Sequence, residues 1–258
     1  MDPLEIACLV QELKLSNEAN EDCINLSPNL VQVTHERVAK CLLWKIFAGR
    51  VVNREALKTQ LPRILQANND IEIEIMGDNL FIVNFSSQAE RRNALLNGPW
   101  HFSQSLMIFK EVAGLQKPSE VRFEDYSTWV QCHNLPISCM APSIIREIWE
   151  KIGRVDEIDL GETGSCLGMY ARIRVTRPID APLRRCVSLS TGVHSDSALI
   201  LLRYERLTDF CYACGRVSHT IRFCNDEEAD KENLKYGSWL RAVRYLFLLP
   251  ASVRSRCR

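Results

Sequence analysis

The sequence lacks features that would assign it at once to a common class. It has no excess charge, since 32 basic side chains balance 32 acidic ones, and this argues against a strong non-specific polyanion binder. Its longest apolar runs, residues 198–202 and 245–249, are far shorter than the ~18–20 residues that span a bilayer. It also begins without a basic segment, so we expect no secretory signal and place the protein inside the cell, in the nucleus or cytoplasm.

Motifs of catalysis are missing too. The sequence has no paired carboxylates in a motif, no glycine-rich phosphate loop and no nucleophile elbow. Cys132 and His133 are neighbours, but we place them on a strand, where adjacent side chains point to opposite faces. They cannot then act as a nucleophile and its base. We therefore expect a protein that is not an enzyme.

Cysteine is abundant, with eleven in 258 residues, and three of them lie close to a histidine. The spacing is Cys211-x2-Cys214-x4-His219-x4-Cys224. Three thiolates and one imidazole are a ligand set that tetrahedral zinc selects, and a complete set leaves no open position for catalysis. Gly215 can supply the positive φ of the turn between the ligands. The alternative, a redox Cys-x-x-Cys pair, needs neither His219 nor Cys224, so we predict one structural Zn²⁺.

Hydrophobic periodicity predicts two α+β units ahead of this module. Residues 36–118 read as βαββαβ, the ferredoxin-like order, with strands at 40–48, 71–75, 80–85 and 105–111 and helices at 53–66 and 86–96. Residues 119–207 repeat the order with strands at 129–136, 154–160 and 170–176 and a helix at 141–153. After residue 178 the pattern changes: a short turn or helix at 181–185 leads to a hairpin, 186–190 and 198–207, so this unit has an altered end.

The remaining boundaries follow from charge. Residues 1–35 carry six acids and one lysine, and we expect them to be mostly disordered. The zinc module occupies residues 208–226. Residues 227–258 begin with an acidic stretch and end basic, and we predict a linker and a tail there.

The zinc module resembles the retroviral zinc knuckle, which binds single-stranded nucleic acid. In that family, one aromatic and one apolar side chain form a platform for an unpaired base, and Tyr212 and Ile221 hold those positions here. Arg216 and Arg222 could then hold phosphates beside the platform. Alternatively, Tyr212 packs against its own domain.

The second unit resembles the RNA-recognition motif over residues 130–135 and 168–175. Tyr170 falls at an aromatic stacking position, and strand alternation places Arg172 and Arg174 on the same face. We predict an exposed strip that binds nucleic acid, with a face that binds nothing or packs on the first unit as the alternative. In the first unit, Leu80 and Ile82 hold the corresponding positions, which favours a packing surface.

The whole chain, from about Leu4 to Ala242, resembles a plant family in which a domain of unknown function precedes such a knuckle. The resemblance is carried by residues 52–57, 97–102, 129–131, 134–136, 182–185, 204–207, 209–211 and 236–242. The family is similar to the nucleic-acid-binding first-reading-frame protein of plant LINE-type retrotransposons.

That resemblance implies a non-catalytic protein that binds single-stranded nucleic acid, with RNA preferred to DNA. We also retain self-association as an expected interaction, and we expect no membrane partner. The alternative function is a protein-interaction module in which zinc is purely structural.

Overall fold

The computed structural model describes residues 27–67, 71–112, 116–150, 152–161, 166, 168–190 and 197–243. The described α-helices are α1 (Pro28–Val38), α2 (Arg54–Leu65), α3 (Gln88–Leu96) and α4 (Pro142–Glu150). The described strands are β1 (Cys41–Phe47), β2 (Glu72–Gly77), β3 (Leu80–Asn84), β4 (Trp100–Phe102), β5 (Ser105–Lys110), β6 (Asp125–His133), β7 (Arg154–Asp159), β8 (Tyr170–Pro178), β9 (Cys186–Ser190) and β10 (Ser197–Tyr204). No helix within these ranges is both long enough and apolar enough to cross a membrane.

Helix α1 belongs to an N-terminal unit, residues 1–39, that is distinct from the rest of the chain. Pro28 lies in its first turn, where a missing backbone N–H removes no helical hydrogen bond. None of its side chains is buried. The expected disorder therefore does not hold for residues 28–35, and residues 1–26 lie outside the described part of the chain.

The first sheet has the strand order β2-β3-β1-β5-β4, with antiparallel neighbours throughout. Without β4 this is the ferredoxin-like order that the sequence predicts. Trp44 in β1 stacks on Phe109 at 5.3 Å between ring centroids and is fully buried under α2. Helix α2 begins where expected because the Asn53 side chain accepts hydrogen bonds, both of 3.1 Å, from the N–H groups of Glu55 and Ala56. The short strand β4 was not predicted.

The second sheet repeats the order as β7-β8-β6-β10-β9. Helix α4 covers one face through its buried residues Ile145, Ile148 and Trp149. In the described residues between β8 and β9 there is no α-helix, so residues 181–185 do not form the helix that the sequence left open as an alternative to a turn. Strands β9 and β10 form the expected antiparallel hairpin. The fold is thus α+β, with two ferredoxin-like units of which the second has an altered end.

A buried cation organises the segment that replaces the missing helix. The Arg177 guanidinium is 2% exposed and donates to the carbonyls of Ala181 and Pro182, at 2.9 and 2.5 Å. It also donates to the Tyr204 hydroxyl at 3.2 Å, which in turn donates to the Arg184 carbonyl at 2.9 Å. These bonds hold residues 181–184 against the sheet in place of helical packing.

The two sheets share buried side chains. Leu106 and Ile108 of β5 belong to the core of the second sheet, and Lys110 forms an ion pair with Asp125. Phe81, Val83 and Phe85 face the core of the first unit as predicted. The first sheet's apolar face therefore packs on the second unit at β5. Leu80 and Ile82, from which the sequence favours a packing surface, are half-buried and are not part of the core of the second sheet.

Candidate zinc centre and nucleic-acid interface

Four side chains converge just after the second sheet. The sulfur atoms of Cys211, Cys214 and Cys224 and a ring nitrogen of His219 all lie within 4.8 Å of one another. Tetrahedral zinc with ~2.3 Å bonds to sulfur needs ligand atoms about 3.8 Å apart, so this cluster fits one zinc ion. The three cysteines are buried, and with His219 they complete the four ligands of tetrahedral zinc, so no ligand position is open to a substrate. The site is structural, as the spacing predicts.

The electrostatics of Cys214 and His219 also favour a bound cation. Burial raises the pKa of the Cys214 thiol to about 12. Burial, and then the nearby Arg216 guanidinium, lowers the pKa of His219, so its imidazole is neutral and able to bind metal at neutral pH. Burial thus opposes ionisation of Cys214, and a bound metal would supply the charge that compensates its thiolate. Zinc therefore supplies the cross-link that holds residues 211–224 together.

Glycine permits the turn between the ligands. Gly215 has φ +77°, and a Cβ placed on it would lie 2.4 Å from the Tyr236 ring. Its N–H donates to the Cys211 carbonyl at 2.8 Å, and its carbonyl accepts from the Leu183 N–H at 2.8 Å. One residue thus closes the metal turn and attaches it to the segment that replaces the missing helix.

The knuckle is built into the second unit. Phe210 and Val217 lie in the core of the second sheet, together with Leu240, which comes sixteen residues after the last zinc ligand. We call residues 236–242 the clasp. Its last N–H, from Ala242, donates to the Tyr204 carbonyl at 2.9 Å. The prediction of a linker and tail from residue 227 is therefore wrong for the clasp, and residues 244–258 lie outside the described residues.

Two of the predicted contact residues are engaged within the protein. The Tyr212 ring is half-buried against the second core and lies 4.9 Å from Phe210 between centroids. Arg216 pairs with Asp226 at 3.0 Å and donates to the Asp180 carbonyl at 2.8 Å. The internal packing of Tyr212, the alternative left open above, is what the structure has. Arg216 brings no uncompensated charge, because Asp226 already neutralises it, and its contact with phosphate stays a prediction.

The exposed side of the knuckle is a short 3₁₀ turn, Ile221–Phe223. Ile221 is 37% exposed, Phe223 is 51% exposed, and Arg222 is exposed between them. Among the described residues Arg222 has no acidic partner. Two of the four predicted knuckle contacts, Ile221 and Arg222, are therefore accessible.

The predicted basic strip on β8 is not an exposed surface. Tyr170, Arg172 and Arg174 share one face, but the Arg174 side chain is 9% exposed and donates to the Leu96 carbonyl of the first unit. Arg172 forms two 2.9 Å hydrogen bonds to Glu205. It also pairs with Asp159 at 3.0 Å and stacks 3.8 Å from the Trp129 ring. The prediction of exposure is thus wrong for Arg174, and Arg172 brings no uncompensated charge.

Tyr170 lies at the open end of this face. Its ring is half-buried and 5.1 Å from the His133 ring between centroids. Burial, and then Arg203, lowers the pKa of His133, so its imidazole is neutral at physiological pH. This end of the sheet is accessible, and its binding role stays a prediction.

Sequence reasoning missed Phe223 and Gly49, which meet across the molecule. A Cβ on Gly49 would lie 2.8 Å from the Phe223 ring, so the ring rests directly on the backbone after β1. The signal for Phe223 was its place beside the last ligand. Gly49 had no local signal, because its partner is 174 positions away in the chain.

Fold and site together define a zinc-knuckle protein built on two ferredoxin-like sheets. Residues 34–112 match the family described as domain of unknown function DUF4283, and residues 182–226 match the zinc knuckle family. The chain therefore carries a DUF4283 domain followed by a CCHC zinc knuckle. The knuckle match begins well before Cys211, which agrees with the hydrogen bond between Leu183 and Gly215.

An uncharacterized protein of Arabidopsis thaliana is 28% identical over 98 residues, which is 37% of this chain and 30% of that relative. The match thus spans less than a third of the relative's length. Solved structures with some likeness include the NONO-1 homodimer of C. elegans, at 11% identity and a TM-score of 0.24, covering 54% of this chain and 50% of that one.

The three N-terminal RNA-binding domains of yeast Prp24 are 12% identical, with a TM-score of 0.24 and coverage of 54% and 55%. The first two RNA-recognition domains of yeast Pub1 are 11% identical, with a TM-score of 0.22 and coverage of 64% and 98%. These TM-scores are too low to carry a conclusion about function, and the ferredoxin-like order is read from the strand pairing alone.

Proposed function

We propose that this chain is a non-catalytic, zinc-dependent protein that binds single-stranded nucleic acid and prefers RNA to DNA. We also propose that it derives from a plant LINE-type retrotransposon. The observation that carries the binding proposal is the turn Ile221–Phe223, which zinc holds at the surface. Its two exposed apolar side chains flank an arginine without an acidic partner among the described residues. Apolar and aromatic groups stack on unpaired bases, and a guanidinium pairs with phosphate.

The origin rests on the order of the domains and on the sequence resemblance. A DUF4283 domain precedes a CCHC knuckle, as in the retrotransposon-derived family that the chain resembles. Nucleic-acid coating and intracellular placement, in nucleus or cytoplasm, belong to the same proposal, as does self-association.

The non-catalytic assignment is supported by the environment of the most reactive pair of neighbours. Cys132 is 1% exposed, and burial raises its pKa to about 12. Such a thiol is protonated at neutral pH and makes a poor nucleophile. His133 points to the opposite face of β6, where it meets Tyr170.

The alternative function is a protein-interaction module with purely structural zinc. It is favoured by the neutralisation of Arg172 and Arg216 and by the internal packing of Tyr212. Net charge gives no long-range attraction to a polyanion either.

A binding titration separates the two functions. Fluorescence anisotropy of labelled single-stranded RNA, single-stranded DNA and duplex, from low to high salt and with or without chelator, measures affinity, strand preference and charge dependence. We expect single strands to bind better than duplex, with affinity that falls steeply as salt rises and is lost with zinc. Arg222→Ala should reduce the salt slope by about 0.7, the value for one phosphate contact on a single strand, whereas exposed Arg92→Ala on α3 should not. Absence of salt-dependent binding by the unmodified protein would favour the interaction module.

A further inference from the structure

A cleft of about 720 Å³ separates the knuckle from the DUF4283 domain. One wall is the segment after β1, residues 48–53, with the turn between β4 and β5 beside it. The other wall is the outer edge of the knuckle, including Thr220, Arg222 and Phe223. The volume lies within the ~300–1,000 Å³ that ligand clefts usually have.

The charge of the cleft favours an anion. Its two lining arginines, Arg50 and Arg222, come from opposite walls, and neither forms an ion pair with any acid in the described ranges. The one acidic side chain in the lining, Asp209, is neutralised by Arg241 at 3.0 Å. Two uncompensated cations therefore face one cavity, unlike the paired arginines of the second sheet.

The cleft also holds a fixed aromatic ring. Phe223 rests on the Gly49 backbone, where even a methyl group would lie 2.8 Å from the ring, and half of the side chain remains exposed. A ring held in this way loses little conformational freedom when a base stacks on it. Tyr212, the position that knuckles use for stacking, is packed against the protein's own core instead.

We infer that this cleft, formed jointly by the DUF4283 domain and the knuckle, is where an unpaired nucleotide segment binds. A base stacks on Phe223, and Arg50 and Arg222 contact the phosphates on either side. The inference rests on the proposed function and goes beyond it, because it makes the DUF4283 domain a direct contact and moves the stacking platform from Tyr212 to Phe223.

The test uses the full-length zinc-loaded protein and a fluorescein-labelled single-stranded RNA of twelve nucleotides in the same anisotropy titration. Phe223→Ala should weaken binding by about 5- to 150-fold, the effect of one lost base stack. Arg50→Ala should reduce the salt slope by about 0.7, although it lies far outside the knuckle in sequence. Zinc content of each variant, measured by metal analysis, should stay at one per chain.

Two further variants sharpen the result. Gly49→Ala changes neither charge nor ring, yet it should weaken binding because the Phe223 ring must shift. Arg92→Ala, an exposed arginine outside the cleft, is the matched control and should bind like the unmodified protein. Photo-crosslinking with 4-thiouridine RNA should label peptides that contain residues 48–53 and 223.

The outcomes are distinguishable. If the unmodified protein does not bind single strands, both the proposed function and the cleft are wrong. If it binds but Arg50→Ala and Phe223→Ala leave affinity and salt slope unchanged, only the cleft is wrong. Crosslinks confined to Tyr170 and the second sheet would also overturn it.

Discussion

Leu240 offers the clearest test of how the knuckle is held. Its side chain is 0% exposed in the core of the second sheet, although it lies beyond the acidic stretch that the sequence assigns to a linker. Replacing a fully buried leucine with alanine removes apolar contacts and leaves a cavity, at a cost of about 2–5 kcal/mol. For a urea m-value near 2 kcal/mol/M, Leu240→Ala should lower the unfolding midpoint by roughly 1–2.5 M.

The control residue is Leu234, six residues before Leu240 and just outside the clasp. Leu234 is 47% exposed, so Leu234→Ala should change the free energy of unfolding by less than about 0.5 kcal/mol. Urea titrations followed by circular dichroism, with both variants zinc-loaded, give the two midpoints directly. Equal midpoints for the two variants would refute the docking of the clasp, and with it the view that the knuckle is part of the second unit's core.

Three further outcomes follow from the same contacts. Metal analysis should find one zinc ion per chain. Chelation should lower the melting temperature of the second unit as well as that of the knuckle, because Val217 lies between the zinc ligands in sequence and packs in the core of the second sheet. Arg174→Ala should destabilise the fold by about 1–3 kcal/mol in urea titrations, since the Leu96 carbonyl loses its donor, without changing the salt slope of RNA binding. Arg216→Ala should likewise leave that slope unchanged, because Asp226 already neutralises Arg216; a reduced slope would mean that this ion pair opens on binding.

Local rules accounted for the features whose partners are close in sequence. The zinc ligands were identified from sequence because all four fall within fourteen residues and their chemistry is specific. The start of α2 was predicted from Asn53 because an N-cap bonds to residues two and three positions ahead. The repeat of the ferredoxin-like order was also predicted, since strand and helix periodicities are local patterns.

The tertiary structure alone decided which candidate residues remain available to bind. Arg172 and Arg222 are the same residue type, but Glu205, which neutralises the first, is 33 positions away, and no described acid reaches the second. The Phe223 ring packs on the backbone of Gly49, which is far from it in sequence. Whether a charged or aromatic side chain can bind a ligand depends on such long-range partners, because folding can neutralise the charge or bury the ring. No local sequence pattern carries that information.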